Sequence, residues 1–282
     1  MYKIGIIGLG VVGKGIYRVF EENVSSIYDP FYEIDGKKVF STKESKMGFS
    51  DVDLTVIAVP TNEKKDWSAD TSLVWESLEW VREINKEGVI LIKSTVPPLE
   101  LEEMQKAYGH IVFSPEYMGE SKYFTPEWKY PHPQRMESHT WQTFGGNLED
   151  TTVCIDIFKR KMGVDCQYWQ TDLKTASMAK YIENSFFAMK VTFVNEWFDM
   201  ANKVGVDWNE LRELWLLDPR INRNHTLVFP KDRGYGGKCF PKDTRAIIKH
   251  MDEIGYSPKL MLAMDLLNWG FRNNNEQTNR VQ

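Results

Sequence analysis

Two hydrophobic patterns follow one another along the chain. The first is a series of short runs that are apolar almost throughout: Tyr2–Gly8 (YKIGIIG), Ser26–Asp29, Leu54–Val59 (LTVIAV), Val89–Lys93 (VILIK), Ile111–Ser114 (IVFS) and Cys166–Trp169. Amphipathic stretches at Val11–Glu22 and Ser72–Lys86 separate them. Strands with no polar alternation, joined by helices, predict a parallel sheet covered on both faces. The second pattern begins at Asp172. No Gly or Pro occurs from there to Lys203, and Gly205 lies just beyond. This predicts one helix of about 32 residues, roughly 48 Å long at ~1.5 Å per residue. Helices are expected next around Trp208–Leu217, Thr244–Ile254 and Lys259–Asn268, with a loop from Asp218 to Asp243. The proline- and aromatic-rich stretch Tyr123–His139 reads as an irregular loop, and Pro30–Ser50 is thin for a full α/β half.

The expected fold class is therefore α/β: a Rossmann-type doubly wound sheet over residues 1–171, a connecting helix over 172–204, and a smaller all-α domain over 205–282. Apolar groups stand around much of the long helix at Phe186, Phe187, Met189, Phe193, Trp197 and Met200. That is more apolar surface than one small domain covers, so a homodimer packed across 172–203 is expected.

Composition narrows the function. The net charge of -5, with both signs interspersed, points to no nucleic-acid surface. The three cysteines at 154, 166 and 239 form no C-x-x-C pair, and the five histidines are scattered, so no metal site is expected. No basic segment followed by a long apolar run opens the chain, and no run approaches the ~20 residues that span a bilayer. A cytoplasmic protein without membrane contact is the expectation.

The chemistry begins at Gly8-Leu9-Gly10-Val11-Val12-Gly13. This G-x-G-x-x-G follows a strand, opens a helix, and precedes a second strand ending in Asp29, 16 residues after Gly13. The glycines allow a tight turn, close approach of a pyrophosphate, and close packing of helix on strand. The helix start supplies N–H groups to the anion. A carboxylate at Asp29 suits ribose hydroxyls and repels a 2′-phosphate, so the expected cofactor is NAD rather than NADP. Val11, Val12, Pro60, Thr61 and Thr95 are expected to line the same cofactor.

The second site candidate is Gly234-Tyr235-Gly236-Gly237-Lys238-Cys239-Phe240-Pro241-Lys242-Asp243. Three glycines in four residues bring backbone close to a ligand. Cys239 then stands between Lys238 and Lys242, and nearby positive charge favours a nucleophilic thiolate. Taken alone, these residues fit a buried structural cysteine beside a turn equally well.

Together with GLGVVG, IKSTVP at 92–97, FSPEYMGESK at 113–122 and AKYIENSFFAMKVTFVNE at 179–196, this block resembles the UDP-glucose/GDP-mannose dehydrogenase family. The resemblance runs from Tyr2 to about Arg272. It implies that Cys239 attacks an aldehyde formed by a first hydride transfer and carries it through a thiohemiacetal and a thioester to a carboxylate. It implies Lys180 and Asn184 as oxyanion stabilisers; at i and i+4 both project from one helix face. By the same match Asp243 orients Lys180 or the hydrolytic water, Thr95 and Glu120 act with a water in proton transfer, and Glu116 lines the site near nicotinamide and thioester. Arg220 matches an arginine that reaches a neighbouring subunit's substrate. With Lys180 and Asn184, the Tyr235-Gly236-Gly237 turn is expected to bind a nucleotide-sugar substrate. The family pattern usually continues with a further nucleotide-clamping domain, so the chain reads as a short form. Two other readings remain open. A two-electron 3-hydroxyacid dehydrogenase also carries a Lys-x-x-x-Asn pair and needs no cysteine. A non-catalytic NAD-binding partner protein would keep the fold alone.

Overall fold

The computed structural model describes residues 2–31, 33–34, 37–38, 43–118 and 135–280. Glu120 and most of the Tyr123–His139 stretch lie outside the described residues. The chain divides into two compact units. The first comprises Met1–Asn62 and Ala69–Lys180, the second Glu63–Ser68 and Tyr181–Gln282.

The first unit is built on a seven-stranded sheet. Its strands are β1 (Ile4–Ile7), β2 (Val24–Tyr28), β5 (Leu54–Ile57), β6 (Val89–Ile92), β7 (Ile111–Phe113), β8 (Trp141–Gly145) and β9 (Gln167–Thr171), in the order β2-β1-β5-β6-β7-β8-β9. A short hairpin, β3 (Glu33–Ile34) with β4 (Lys37–Lys38), follows β2. The first five strands of the order are parallel, as expected from their unbroken apolar runs. The expectation of an all-parallel sheet fails at the far edge. There β8 runs antiparallel to β7, and β9 lies parallel to β8. The Cys166–Trp169 run marks β9 (QYWQT), whereas β8 (WQTFG) is not anticipated.

Helices cover both faces, because alternate residues of each strand point to opposite sides. On one face Ile57, Ile90, Ile92 and Phe113 pack with Val74 and Leu78 of α3 (Ser72–Ile84) and Leu101 and Met104 of α4 (Pro98–Tyr108). On the other, Ile4, Ile6, Val56 and Leu91 pack with Ile16 and Phe20 of α1 (Val11–Phe20) and Ile157 and Phe158 of α5 (Leu148–Met162). A short α2 (Lys43–Met47) precedes β5.

The long helix α6 spans Leu173–Val204, 32 residues. Asp172 Oδ1 accepts the N–H of Thr175 at 2.9 Å and caps its start. At its end Gly205 takes φ +77, the left-handed stop that glycine allows. The second unit continues with α7 (Trp208–Trp215), α8 (Phe240–Glu253) and α9 (Lys259–Arg280). Its small cores form around Val194, Ala201 and Trp208, and around Ala188, Tyr235 and Met264. The expected loop through Asp243 is shorter than the sequence suggested, since α8 already begins at Phe240. Pro241 sits in its first turn, where the missing proline N–H has no intrahelical partner to lose.

Candidate active site

Three parallel strands present their carboxyl ends side by side. Because β1 lies between β2 and β5, the chain leaves it in opposite directions, and this is where α/β sheets open a crevice. Gly8 has φ +89, and a Cβ there would stand 2.6 Å from the Ala58 carbonyl oxygen. A Cβ on Gly13 would lie 1.9 Å from the Gly8 oxygen. Those two glycines are demanded by the fold. Gly10 is different: a Cβ there would meet nothing within 4 Å. Gly10 precedes α1 and caps it with no side chain, and the first turn carries no acidic residue. The N–H groups of Val11, Val12 and Gly13 are thus offered to an anion with open space before them. This cradle fits a dinucleotide pyrophosphate.

Asp29 follows β2 and is buried. Its Oδ2 accepts the Leu9 N–H at 2.6 Å and its Oδ1 the Phe31 N–H at 2.7 Å. The carboxylate therefore braces the phosphate turn, and its remaining lone pairs would be free to accept from the hydroxyls of a bound ribose. Ser94 Oγ donates to the Val59 carbonyl at 2.7 Å. That bond links the turn after β5, with exposed Pro60 and buried Thr61, to the turn after β6, where Thr95 is half-buried.

Deeper in the same unit lies a group of charges around Glu116, in which sequence reasoning singled out Glu116 but not Lys93 or His139. Lys93 ends the β6 run and its side chain is wholly buried. Its Nζ pairs with Glu116 Oε2 at 3.2 Å and stands 3.3 Å from Ser114 Oγ. Glu116 Oε1 accepts the N–H groups of Tyr117 and Met118 at 2.9 and 3.0 Å. Burial pushes the Glu116 carboxyl up, but Lys93, His139 and the Met118 N–H together hold it below the usual carboxylate range. Burial draws Lys93 down against the pull of Glu116, and draws buried His139 down toward its neutral form. Lys180 lies beside this group, its ammonium 4.9 Å from the centre of the Tyr117 ring.

The second unit holds the remaining residues. Cys239 is half-buried and is the residue immediately before α8. One turn along, buried Asp243 receives the Asn184 amide at 2.6 Å and an ion pair from Lys242. Asn184 is thereby locked in one amide orientation. The resemblance implies that Asp243 orients Lys180 or a water; within its own unit its carboxylate holds Asn184 and Lys242. Tyr235 was expected to touch substrate. Its ring is buried, its hydroxyl bonds Asp265 at 3.0 Å, and its N–H and carbonyl are both taken by the Asn268 amide. Tyr235 anchors the glycine turn to α9, leaving Gly236 and Gly237 as its ligand-facing candidates. Arg220 is exposed and chelates Asp218, two residues away. His225 stacks on Phe187 with ring centres 4.3 Å apart and also meets Phe240, beside the cysteine.

Comparison with known proteins decides the ancestry. Residues 12–125 match the NAD binding domain of the UDP-glucose/GDP-mannose dehydrogenase family, and residues 174–269 match that family's central domain. The chain belongs to this family. Among its relatives, the UDP-glucose 6-dehydrogenase of Rickettsia typhi is 30% identical over 243 residues, covering 84% of this chain and 53% of that protein. The UDP-glucose 6-dehydrogenase YwqF of Bacillus subtilis is 27% identical over 281 residues, covering 94% and 58%. The chain spans about half the length of the curated relatives it matches. A solved UDP-glucose dehydrogenase from Pyrobaculum islandicum shares the fold with TM-score 0.76 and 24% identity, over 95% of this chain and 68% of that one. So does the 3-hydroxyisobutyrate dehydrogenase of Mycobacterium tuberculosis, with TM-score 0.73 and 15% identity, over 98% and 95%. Both chemistries considered for the sequence are thus housed by one architecture, and fold alone does not choose between them. The NAD binding domain agrees with the cofactor expected from Asp29. Among the described residues no helix is long and apolar enough to cross a membrane, and no cluster of acidic, histidine or cysteine side chains is fit to hold a metal ion.

Proposed function

We propose that this chain is an NAD-dependent nucleotide-sugar dehydrogenase of the UDP-glucose 6-dehydrogenase type, oxidising a primary alcohol to a carboxylate. One observation carries the reading. Cys239 stands at the start of α8, and Asp243 in that helix's first turn fixes the Asn184 amide at 2.6 Å. A two-electron hydroxyacid dehydrogenase has no use for a thiol in that position.

The residue roles follow. Val11, Val12, Gly13 and Asp29 hold the dinucleotide, which accepts hydride when bound. Lys180 and Asn184 donate to the alkoxide of the substrate, one as a cation and one as a dipole. The Asn184 amide is held by Asp243 before reaction, so it needs little reorganisation as charge develops. The Cys239 thiolate adds to the aldehyde carbon, forming a C–S bond and an oxyanion that collects a proton. Release of that proton and transfer of hydride from the same carbon to a second oxidised dinucleotide, taken up after the first has left, would give a thioester. Water then adds to it, the C–S bond breaks, and carboxylate and thiol are released. Thr95 and Glu120 are assigned to the proton transfers of these steps. The chain's similarity to UDP-glucose 6-dehydrogenases supports a UDP-hexose as the substrate class.

The test is stoichiometry. With a panel of UDP- and GDP-sugars and small hydroxy acids, the active substrate is expected to yield two NADH and one carboxylate. One NADH per molecule consumed, with a hydroxy acid as substrate, removes this reading.

The assembly belongs to the same proposal. Met178, Ile182, Phe186, Phe193, Trp197 and Met200 form a stripe along α6, each about half exposed or more. An apolar stripe at i, i+4 spacing on a helix of this length favours a self-complementary two-fold contact. We expect a dimer in sedimentation at micromolar concentration, and Trp197→Glu to dissociate it. A monomer in the unaltered protein rules that contact out.

A further inference from the structure

Lys93 and Glu116 present a physical problem. Two opposite charges buried in a sheet-and-helix core lose their hydration, and an apolar pair of the same volume generally serves stability as well or better. The pair sits at the carboxyl ends of β6 and β7, the functional edge of the sheet. The β6–β7 register, with Ile92 opposite Phe113, brings Lys93 beside Ser114 and the turn that follows.

What the pair touches shows what it controls. Glu116 Oε2 faces Lys93, while Oε1 gathers the N–H groups of Tyr117 and Met118. That clamp sets the backbone direction at Tyr117. The Tyr117 ring is then steadied by Trp141, with ring centres 5.5 Å apart. Trp141 in turn stacks on His139 at 9° between planes, and His139 Nδ1 lies 3.8 Å from Glu116 Oε1. The contacts close on themselves: Glu116, Tyr117, Trp141, His139, Glu116. Lys93 anchors this ring of contacts from within the sheet, and the Lys180 ammonium lies 4.9 Å from the centre of the tyrosine ring. All these residues belong to the first unit.

We propose that Lys93 and Glu116 are positioning residues that act through the Tyr117 ring to seat the Lys180 ammonium. An ammonium over an aromatic face is held in direction as well as in charge. A lysine with four rotatable bonds otherwise spends conformational freedom each time it meets an oxyanion. This proposal deepens the dehydrogenase reading, since it rests on Lys180 being the donor to the alkoxide.

The decisive comparison is Tyr117→Leu with Tyr117→Phe, because neither disturbs the buried ion pair. The phenylalanine variant keeps the ring face and is expected to behave as the parent. The leucine variant removes it, and kcat is expected to fall about tenfold with KM little changed. A second readout needs no turnover: modification of Lys180 by an amine-directed acylating reagent, followed by mass spectrometry. It is expected to be roughly fivefold faster in Tyr117→Leu and unchanged in Tyr117→Phe. Glu116→Gln, where it folds, is expected to accelerate labelling like the leucine variant. Equal labelling of Lys180 in the leucine, phenylalanine and parent proteins overturns the proposal. So does equal acceleration in both tyrosine variants, since it would make the hydroxyl rather than the ring the active feature. A parent protein that produces no NADH from any sugar nucleotide would instead discard the dehydrogenase reading, while the labelling result would stand.

Discussion

Cys239→Ser is expected to lower turnover by roughly a thousandfold or more while leaving the folded protein as stable as the parent. The two halves of that statement come from different physics. Cys239 occupies the cap position of α8 and makes no capping hydrogen bond there. Serine is close in size and leaves the turn unchanged, so the thermal midpoint should hold. Chemistry moves the other way. A serine hydroxyl is essentially un-ionised near neutral pH, and an oxygen ester resists hydrolysis more than a thioester. Substrate and NAD should still bind, and a covalent adduct should accumulate in the mass spectrum. Retention of full turnover with one NADH per substrate would make the cysteine structural and hand the chemistry to Lys180 as a simple proton-transfer residue.

Gly13→Ala and Gly10→Ala are expected to separate folding from cofactor binding within one motif. The Gly13 methyl would be placed 1.9 Å from a backbone oxygen. Neither the oxygen nor the helix start has a rotamer through which to yield, so the turn must deform. A loss of about 2–3 kcal/mol, or roughly 5–10 °C in thermal midpoint, is expected, with cofactor binding lost as a consequence. The Gly10 methyl meets nothing within 4 Å. Stability should stay within about 0.5 kcal/mol of the parent, while NAD affinity measured by calorimetry falls more than roughly tenfold. The methyl would occupy the space that the pyrophosphate needs. If Gly10→Ala binds NAD as tightly as the parent, the anion does not sit before α1.

Several elements could be read directly because their signals are local. An unbroken apolar run marks a buried strand whatever it pairs with. The absence of Gly and Pro from 172 to 203 marks α6, and the observed helix, Leu173–Val204, differs by one residue at each end. The phosphate turn is equally local, since one strand, one turn and one helix start compose it. The family resemblance reached further, because long blocks such as AKYIENSFFAMKVTFVNE carry more information than any periodicity.

What escaped the sequence was set by partners distant along the chain. The last residue of VILIK reads as a polar strand end, the usual place for a solvated lysine. Only the alignment of β6 with β7 puts Lys93 against Glu116, 23 residues later. Asp243 has two carboxylate oxygens and many conceivable partners; the packing of α8 against α6 assigns it Asn184, 59 residues away. Tyr235 looks like a ligand contact beside three glycines, yet Asp265 and Asn268 on α9 claim its hydroxyl and its backbone. Strand β8 does not stand out in the sequence, and the antiparallel direction of β8 and β9 follows from the edge they join rather than from their composition. The sequence by itself thus determined the α/β class, the dinucleotide turn and the long helix, and its family resemblance singled out Cys239 as the candidate nucleophile. The tertiary structure alone decided which charges are buried, which pair with one another, and which expected contacts are anchors. The physical reason is that a hydrophobic period or a turn is fixed by neighbours in the chain. The cost of burying a charge is instead offset by whichever group the fold places opposite it.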